Sequence, residues 1–248
     1  TAASVLVYAI GFAWGRWVRK ESFTVSALLA GGMSTSNSGF IGYPVALSVV
    51  GSSAALAMAL GMIIENTVLI PLILALSEIG QQNRSGLLEL VRTTALRLVK
   101  SPVIIAITLG LVMSLLEWKP PTIVMRPIEM LAAASAPVAL FVIGGSVYGM
   151  RIDNLWQDIT QTSTGKLLLH PILVATAMFL MPGIDPTLKI AGVLFASAPM
   201  MSIFPILGQA YGQEQRCAAS LLAATTLAFF TISSVIALIK YFGLVPVY

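Results

Sequence analysis

Residues 36–51, SNSGFIGYPVALSVVG, and residues 197–212, SAPMMSIFPILGQAYG, decide the fold. At a constant offset of 161 positions Ser36 meets Ser197, Tyr43 meets Phe204, Pro44 meets Pro205 and Gly51 meets Gly212. Each copy places a proline inside a long apolar segment. A proline within a helix removes a backbone donor and crowds the preceding turn. In lipid such a break survives only where other protein groups or a cavity satisfy the freed backbone. Two interrupted segments at matching places in two halves point to a secondary transporter and to its binding site.

The surrounding composition agrees. The chain has 248 residues, of which 57% are hydrophobic and 10% charged, and its mean hydropathy is +0.92. An ordinary soluble domain carries about 25% charged residues, so this is a polytopic membrane protein. The net charge of +4 is no nucleic-acid signal, because the basic residues lie between apolar segments. A lone Cys217 excludes an intrachain disulfide. With one histidine and one cysteine, and without HExxH, CxxC or a phosphate-binding GxxxxGK[ST] loop, neither an enzyme, a metal site nor a cofactor is expected.

Spanning helices need roughly 20 apolar residues. Eight are read: 2–18, 23–51, 53–77, 102–117, 127–150, 163–182, 187–212 and 216–242. The second is too long for one straight helix, and bending or unwinding is expected at Gly31-Gly32 and from Gly39 to Pro44. Residues 84–100 carry leucines and valine on one face and arginines on the other. That fits a helix in the membrane interface, or equally an extension of the next span. Basic residues near span ends are retained in the cytoplasm. With the first span ending inside, Arg16, Arg19, Lys20, Arg84, Arg92, Arg97, Lys100, Arg151, Lys166 and Arg216 lie inside, against Lys119, Arg126, Lys189 and Lys240 outside. Both ends of the chain are then expected outside a cell membrane.

Spans one to three match spans six to eight at the 161-residue offset. Corresponding members are five spans apart, so the two halves run in opposite directions: an inverted repeat. Spans four and five lack counterparts. A protein of ten spans, present here from its third, would account for that. The expected units are 1–83 and 151–248, two halves of a transport domain with three spans each, and 84–150, an interfacial helix with two scaffold spans.

NSGFIGYP, followed by GSSAALAMALGMIIENTVLIPLILAL, SPVIIAITLGL, APVALFVIGGSVYGM and LLLHP, resembles the auxin efflux carrier family over essentially the whole chain, beginning at that family's third helix. The short loops resemble its prokaryotic members, often described as malonate transporters. The resemblance implies ten helices in two inverted five-helix repeats, with scaffold and transport domains. It also implies that two proline-broken helices, here 23–51 and 187–212, cross beside the substrate, and that transport follows an elevator-like or rocking motion. Lacking that family's first two helices, the chain leaves half of the scaffold unrepresented, which bears on the homodimer such a scaffold would form.

Particular side chains carry the expected chemistry. Asn37 both donates and accepts, Ser36 and Ser38 flank it, and Gly39 and Gly42 let a ligand approach the backbone. With Pro44 they form a polar cradle for an anion at a helix N-terminus; the plainer reading is that Asn37 caps a broken helix. Ser197, Pro199, Ser202 and Pro205 occupy the mirror site, with Ala198 at the Asn37 position. Gln209, one turn beyond Pro205, is placed to reach in or to line the inner mouth. Glu65, at the centre of its span, is expensive there unless protonated, paired or ion-bound. With Asn66, and Thr226 at its mirror position, it is a candidate for coupling to a proton or sodium ion; otherwise it is an interhelical hydrogen bond. His170 reads as a structural hydrogen bond near the cytoplasmic interface, with a proton relay as the alternative. Glu78 and Asp158 read as solvated span-end residues. No Lys or Arg is read mid-span.

These readings lead to an all-α secondary transporter for a small organic anion, with a malonate-like dicarboxylate first, surrounded by membrane lipid. The alternatives are an exporter of auxin-like weak acids and a membrane sensor that binds a solute without moving it.

Overall fold

The computed structural model describes residues 2–81, 105, 109–110, 112–113, 115–147 and 155–244. The amphipathic stretch 84–100, Arg151 and most of the span read at 102–117 lie outside the described residues. Among the described residues every regular element is helical. Three helices, Ser53–Gly80, Trp156–Leu180 and Glu214–Tyr241, are long and apolar enough to cross a membrane. Ala2–Val18 and Pro186–Ser197 are shorter apolar helices.

In chain order, α1 (Ala2–Ala13) runs into a π-helical turn at Trp14–Val18. Helix α2 (Phe23–Ser34) starts on Ser22, whose hydroxyl accepts the Val25 N–H, and stops at Thr35. A π turn at Ser38–Gly42 leads into α3 (Tyr43–Val50). Helices α4 (Ser53–Ile64) and α5 (Ile70–Gln81) form one rod joined by a π turn at Glu65–Leu69. Helix α6 is Thr122–Val147. Helices α7 (Trp156–Thr164) and α8 (His170–Leu180) make a second rod through a π turn at Gly165–Leu169. Helix α9 (Pro186–Ser197) is capped by Asp185, α10 (Phe204–Gln209) is short, and α11 (Glu214–Tyr241) closes the chain.

The prolines do not break these helices where the sequence suggested. The π turns ending at Gly42, Leu69 and Leu169 each stop two residues before a proline: Pro44, Pro71 and Pro171. A proline ring clashes with the carbonyl four residues back and offers no N–H. Widening the preceding turn to π geometry lets the rod continue past it. The interruptions fall instead at 35–37 and 198–203, ahead of the prolines. Pro205 sits in the first turn of α10, where a missing N–H costs nothing.

Gly31 and Gly32 do not unwind the chain either; α2 is helical through both. They permit close approach. A Cβ on Gly31 would lie 2.8 Å from Ile73 Cδ1 of α5, and one on Gly32 would lie 2.7 Å from Phe204 Cζ of α10. Small residues let helix backbones close on one another in lipid, where association depends on packing and not on a hydrophobic force. The main core follows from this contact, with Leu28, Ile73, Leu167, Met200, Phe204 and Leu221 buried together. A second cluster joins Ala46 and Ala54 to Ile190, Leu194 and Ile239. Gly51 and Gly212, matched in the sequence, both take left-handed backbone at φ 65° and 68°, the region that favours glycine.

One end of the bundle is tied by charge. Asp158 is 1% exposed, not solvated. Its carboxylate holds Arg19 at 2.7 Å and the Arg216 guanidinium on both oxygens, while Glu21 takes Arg216 at 2.6 Å. The knot joins the connection between α1 and α2 to α7 and α11. Removing an acid from water is costly and is offset here by two guanidinium groups. Glu78 is buried as well, again unlike the span-end reading.

Candidate functional site

The two interrupted segments touch. The Asn37 N–H donates to the Pro199 carbonyl at 2.7 Å, and Asn37 Nδ2 donates to Ser202 Oγ at 2.7 Å. On its own side Asn37 Oδ1 accepts the Phe40 N–H at 3.2 Å, so the residue is the N-cap of the second half-segment as well as a bridge to the other interruption. Helix α2 and α9 end here, and the segments leading to α3 and α10 begin here. Carbonyl ends and N–H ends therefore meet at one point, which gives the site patches of both polarities. A Cβ on Gly39 would meet nothing within 4 Å, so the N-terminal end of the second half-segment is open on that side.

Around this contact runs a chain of polar groups, most of them buried. The Ser36 N–H donates to Glu65 Oε1 at 2.8 Å, and Ser38 Oγ donates to Glu65 Oε2 at 3.5 Å. Lys166 Nζ donates to Ser36 Oγ at 2.7 Å and to the Ala196 carbonyl at 2.9 Å. It also lies 2.7 Å from His170 Nδ1, and His170 Nε2 lies 3.0 Å from Ser4 Oγ. Ala196 is in the last turn of α9, whose carbonyls have no partner within the helix. A cation at that end is favoured by the helix dipole. Lys166 is 0% exposed and His170 3%, and Glu65 is half-buried.

Of the residues singled out in the sequence, the fold gathers Ser36, Asn37, Ser38, Glu65, Pro199 and Ser202. Gly42 is buried against Phe195, and Ser197 is fully buried, its hydroxyl bonded to the Val193 carbonyl of its own helix. Pro205 is buried beside Phe204 under the crossing. Pro44, Gln209 and Thr226 are exposed, and Thr226 Oγ1 bonds the Leu222 carbonyl of its own helix. Asn66 is half-buried beside Glu65.

Two residues were misplaced by the sequence reading. Lys166 was assigned to an inner segment because its span was started at 163. The rod begins at Trp156, which puts Lys166 roughly 15 Å along it at 1.5 Å per residue. A lysine is therefore mid-span after all. His170 belongs to the crossing and not to the cytoplasmic edge. The signal was a lysine and a histidine four apart, hence on one helix face, ahead of Pro171. A cavity of about 840 Å³ between α1 and α7 reaches Gly165, the neighbour of Lys166, but is not lined by Asn37.

Comparison with known proteins gives two matches. A family model described as "Membrane transport protein" matches residues 1–237. A protein of Rhizobium meliloti (strain 1021), named "Putative malonate transporter", is 29% identical over 239 residues, covering 95% of this chain and 74% of that protein.

Proposed function

The chain belongs to the membrane transport protein family, the auxin efflux carrier family to which NSGFIGYP pointed, and we propose that it carries a small organic anion, malonate or a similar dicarboxylate, across the cell membrane as a secondary transporter. The observation that carries this reading is the meeting of the two interrupted segments through Asn37, Pro199 and Ser202. Half-helix N-termini at mid-membrane favour anions, and Gly39 leaves room beside one of them. The substrate rests at Ser36, Asn37, Ser38 and Gly39, opposite Ser202. Residues 1–83 and 151–248 act as inverted halves of a transport domain, with 84–150 as scaffold and both chain ends outside. The name of the Rhizobium meliloti protein supports malonate as the first substrate to try. A proton or sodium ion accompanies the anion through the polar chain that starts at Glu65.

Thermal unfolding of the purified protein against a panel of mono- and dicarboxylates tests the substrate class. Malonate or a close dicarboxylate is expected to raise the melting temperature in proportion to the logarithm of its concentration. A shift by auxin-like monoacids with none by dicarboxylates would replace the dicarboxylate reading.

A further inference from the structure

We propose that Lys166, His170 and Ser4 form a proton relay that carries the coupling ion of transport, so that the cation moved with the anion is a proton. The proposal rests on the transport reading. Its basis is the direction of the hydrogen bonds. Lys166 Nζ has three neighbours at 2.7–2.9 Å: Ser36 Oγ, the Ala196 carbonyl and His170 Nδ1. An ammonium has three donors and no acceptor. With Lys166 charged, all three are satisfied when His170 Nδ1 is bare and Nε2–H donates to Ser4 Oγ. The same positions serve a neutral amine equally well. Its two N–H bonds go to Ser36 and Ala196, and its lone pair accepts from a protonated Nδ1 while Nε2 accepts the Ser4 hydroxyl.

The step between these states balances. An Nζ–H bond of Lys166 breaks as Nδ1–H forms on His170. The Nε2–H proton passes to Ser4 Oγ, which releases its own hydroxyl proton to water. One proton leaves, Lys166 goes from ammonium to amine, and His170 is neutral in both states with its tautomer exchanged. Exposure rises along the path: Lys166 is 0% exposed, His170 3%, and Ser4 half-exposed. The ammonium also occupies the place at the C-terminal end of α9 that a mobile cation would take.

The groups facing the pair fit this use. Glu65, on the rod of α4 and α5, meets Lys166 through Ser36. From α9 the pair receives only a carbonyl. Tyr8 of α1 and Cys217 of α11 share the apolar core with Leu167. On α7, Asp158 lies two turns away and is held by Arg19 and Arg216, with Glu21 beside them.

The chain holds a single histidine, so 15N-histidine labelling reads His170 alone. In lipid bilayers its tautomer is expected to change from Nε2–H to Nδ1–H between about pH 5 and about pH 11, the interval spanning ordinary histidine and lysine titration. One fixed tautomer throughout would overturn the relay. In proteoliposomes in sodium-free choline buffer, a malonate gradient should move protons, read by an internal pH dye. His170→Gln should slow malonate-driven proton movement about 100-fold, the low end for a positioned proton-transfer group. Malonate movement by the wild type without protons, or only with sodium, would overturn the coupling. A tautomer change in a protein that moves no malonate would leave the relay standing and sink the transport reading instead.

Discussion

Replacing Asn37 by Asp separates a cap from a ligand contact. Asn37 is 6% exposed, accepts the Phe40 N–H at 3.2 Å and donates to Ser202 Oγ at 2.7 Å. Aspartate has the same shape. Its carboxylate keeps the Phe40 N–H, and the Ser202 hydroxyl, a donor as well as an acceptor, turns to donate. Burying the charge costs stability, offset in part by the charge-assisted bonds from the Phe40 N–H and the Ser202 hydroxyl, so a loss of about 1–3 kcal/mol is expected. Toward a bound anion the change is large. A carboxylate roughly 4 Å from a unit negative charge repels it by about 4 kcal/mol at an effective dielectric constant near 20. That is about a thousandfold in affinity. The assay is binding of radiolabelled malonate to purified wild type and Asn37→Asp, with melting temperatures measured in parallel. A variant that folds like the wild type and keeps its malonate Kd within about threefold, or 0.7 kcal/mol, would show that Asn37 only caps and bridges.

Other perturbations follow from the same geometry. Asp158→Asn removes the acid shared by Arg19 and Arg216 and should cost about 3 kcal/mol, the low end for breaking a buried pair because Glu21 still holds Arg216; an unchanged melting temperature would show that the knot contributes little. Gly32→Ala drives a Cβ into Phe204 and should destabilise by about 1–3 kcal/mol. Phe204→Leu in the same chain should recover part of the loss in a double-mutant cycle, and additive effects would disprove the contact. Glu65→Gln keeps an acceptor for the Ser36 N–H but removes the charge facing Lys166; accumulation of malonate against a gradient should fail, and normal accumulation would remove Glu65 from the coupling scheme.

Much of this was readable before the fold. The matched serines, aromatics and prolines located the two special segments; Asn37 and Glu65 were selected because polar groups are costly in lipid, and Ser202 because it lies in the mirror segment. Local chemistry was harder to place. The prolines were expected to mark the breaks, but π turns absorb them, and the chain opens where Asn37 can cap the next segment. Gly31-Gly32 was read as a place where the helix bends or unwinds, although the pair makes room for Ile73 and Phe204; which of these a glycine serves depends on what packs against it. Thr226 was chosen by its offset from Glu65, whereas the two sites are unlike: Glu65 faces Ser36 and Thr226 faces outward. Lys166 was lost through the starting point of one span, since hydropathy dips at a polar helix such as Trp156–Thr164 and a lysine behind it reads as a flank. Asp158 was lost because its partners, Arg19 and Arg216, are 139 and 58 positions away.

The most direct test of the account is counterflow of radiolabelled malonate into proteoliposomes preloaded with unlabelled malonate. Wild type should accumulate label transiently above the level of protein-free vesicles, and Asn37→Asp should not. Label entering wild-type and protein-free vesicles alike, or entering the Asn37→Asp vesicles as fast as the wild type, would contradict a malonate carrier whose substrate sits at the crossing of the two interrupted helices.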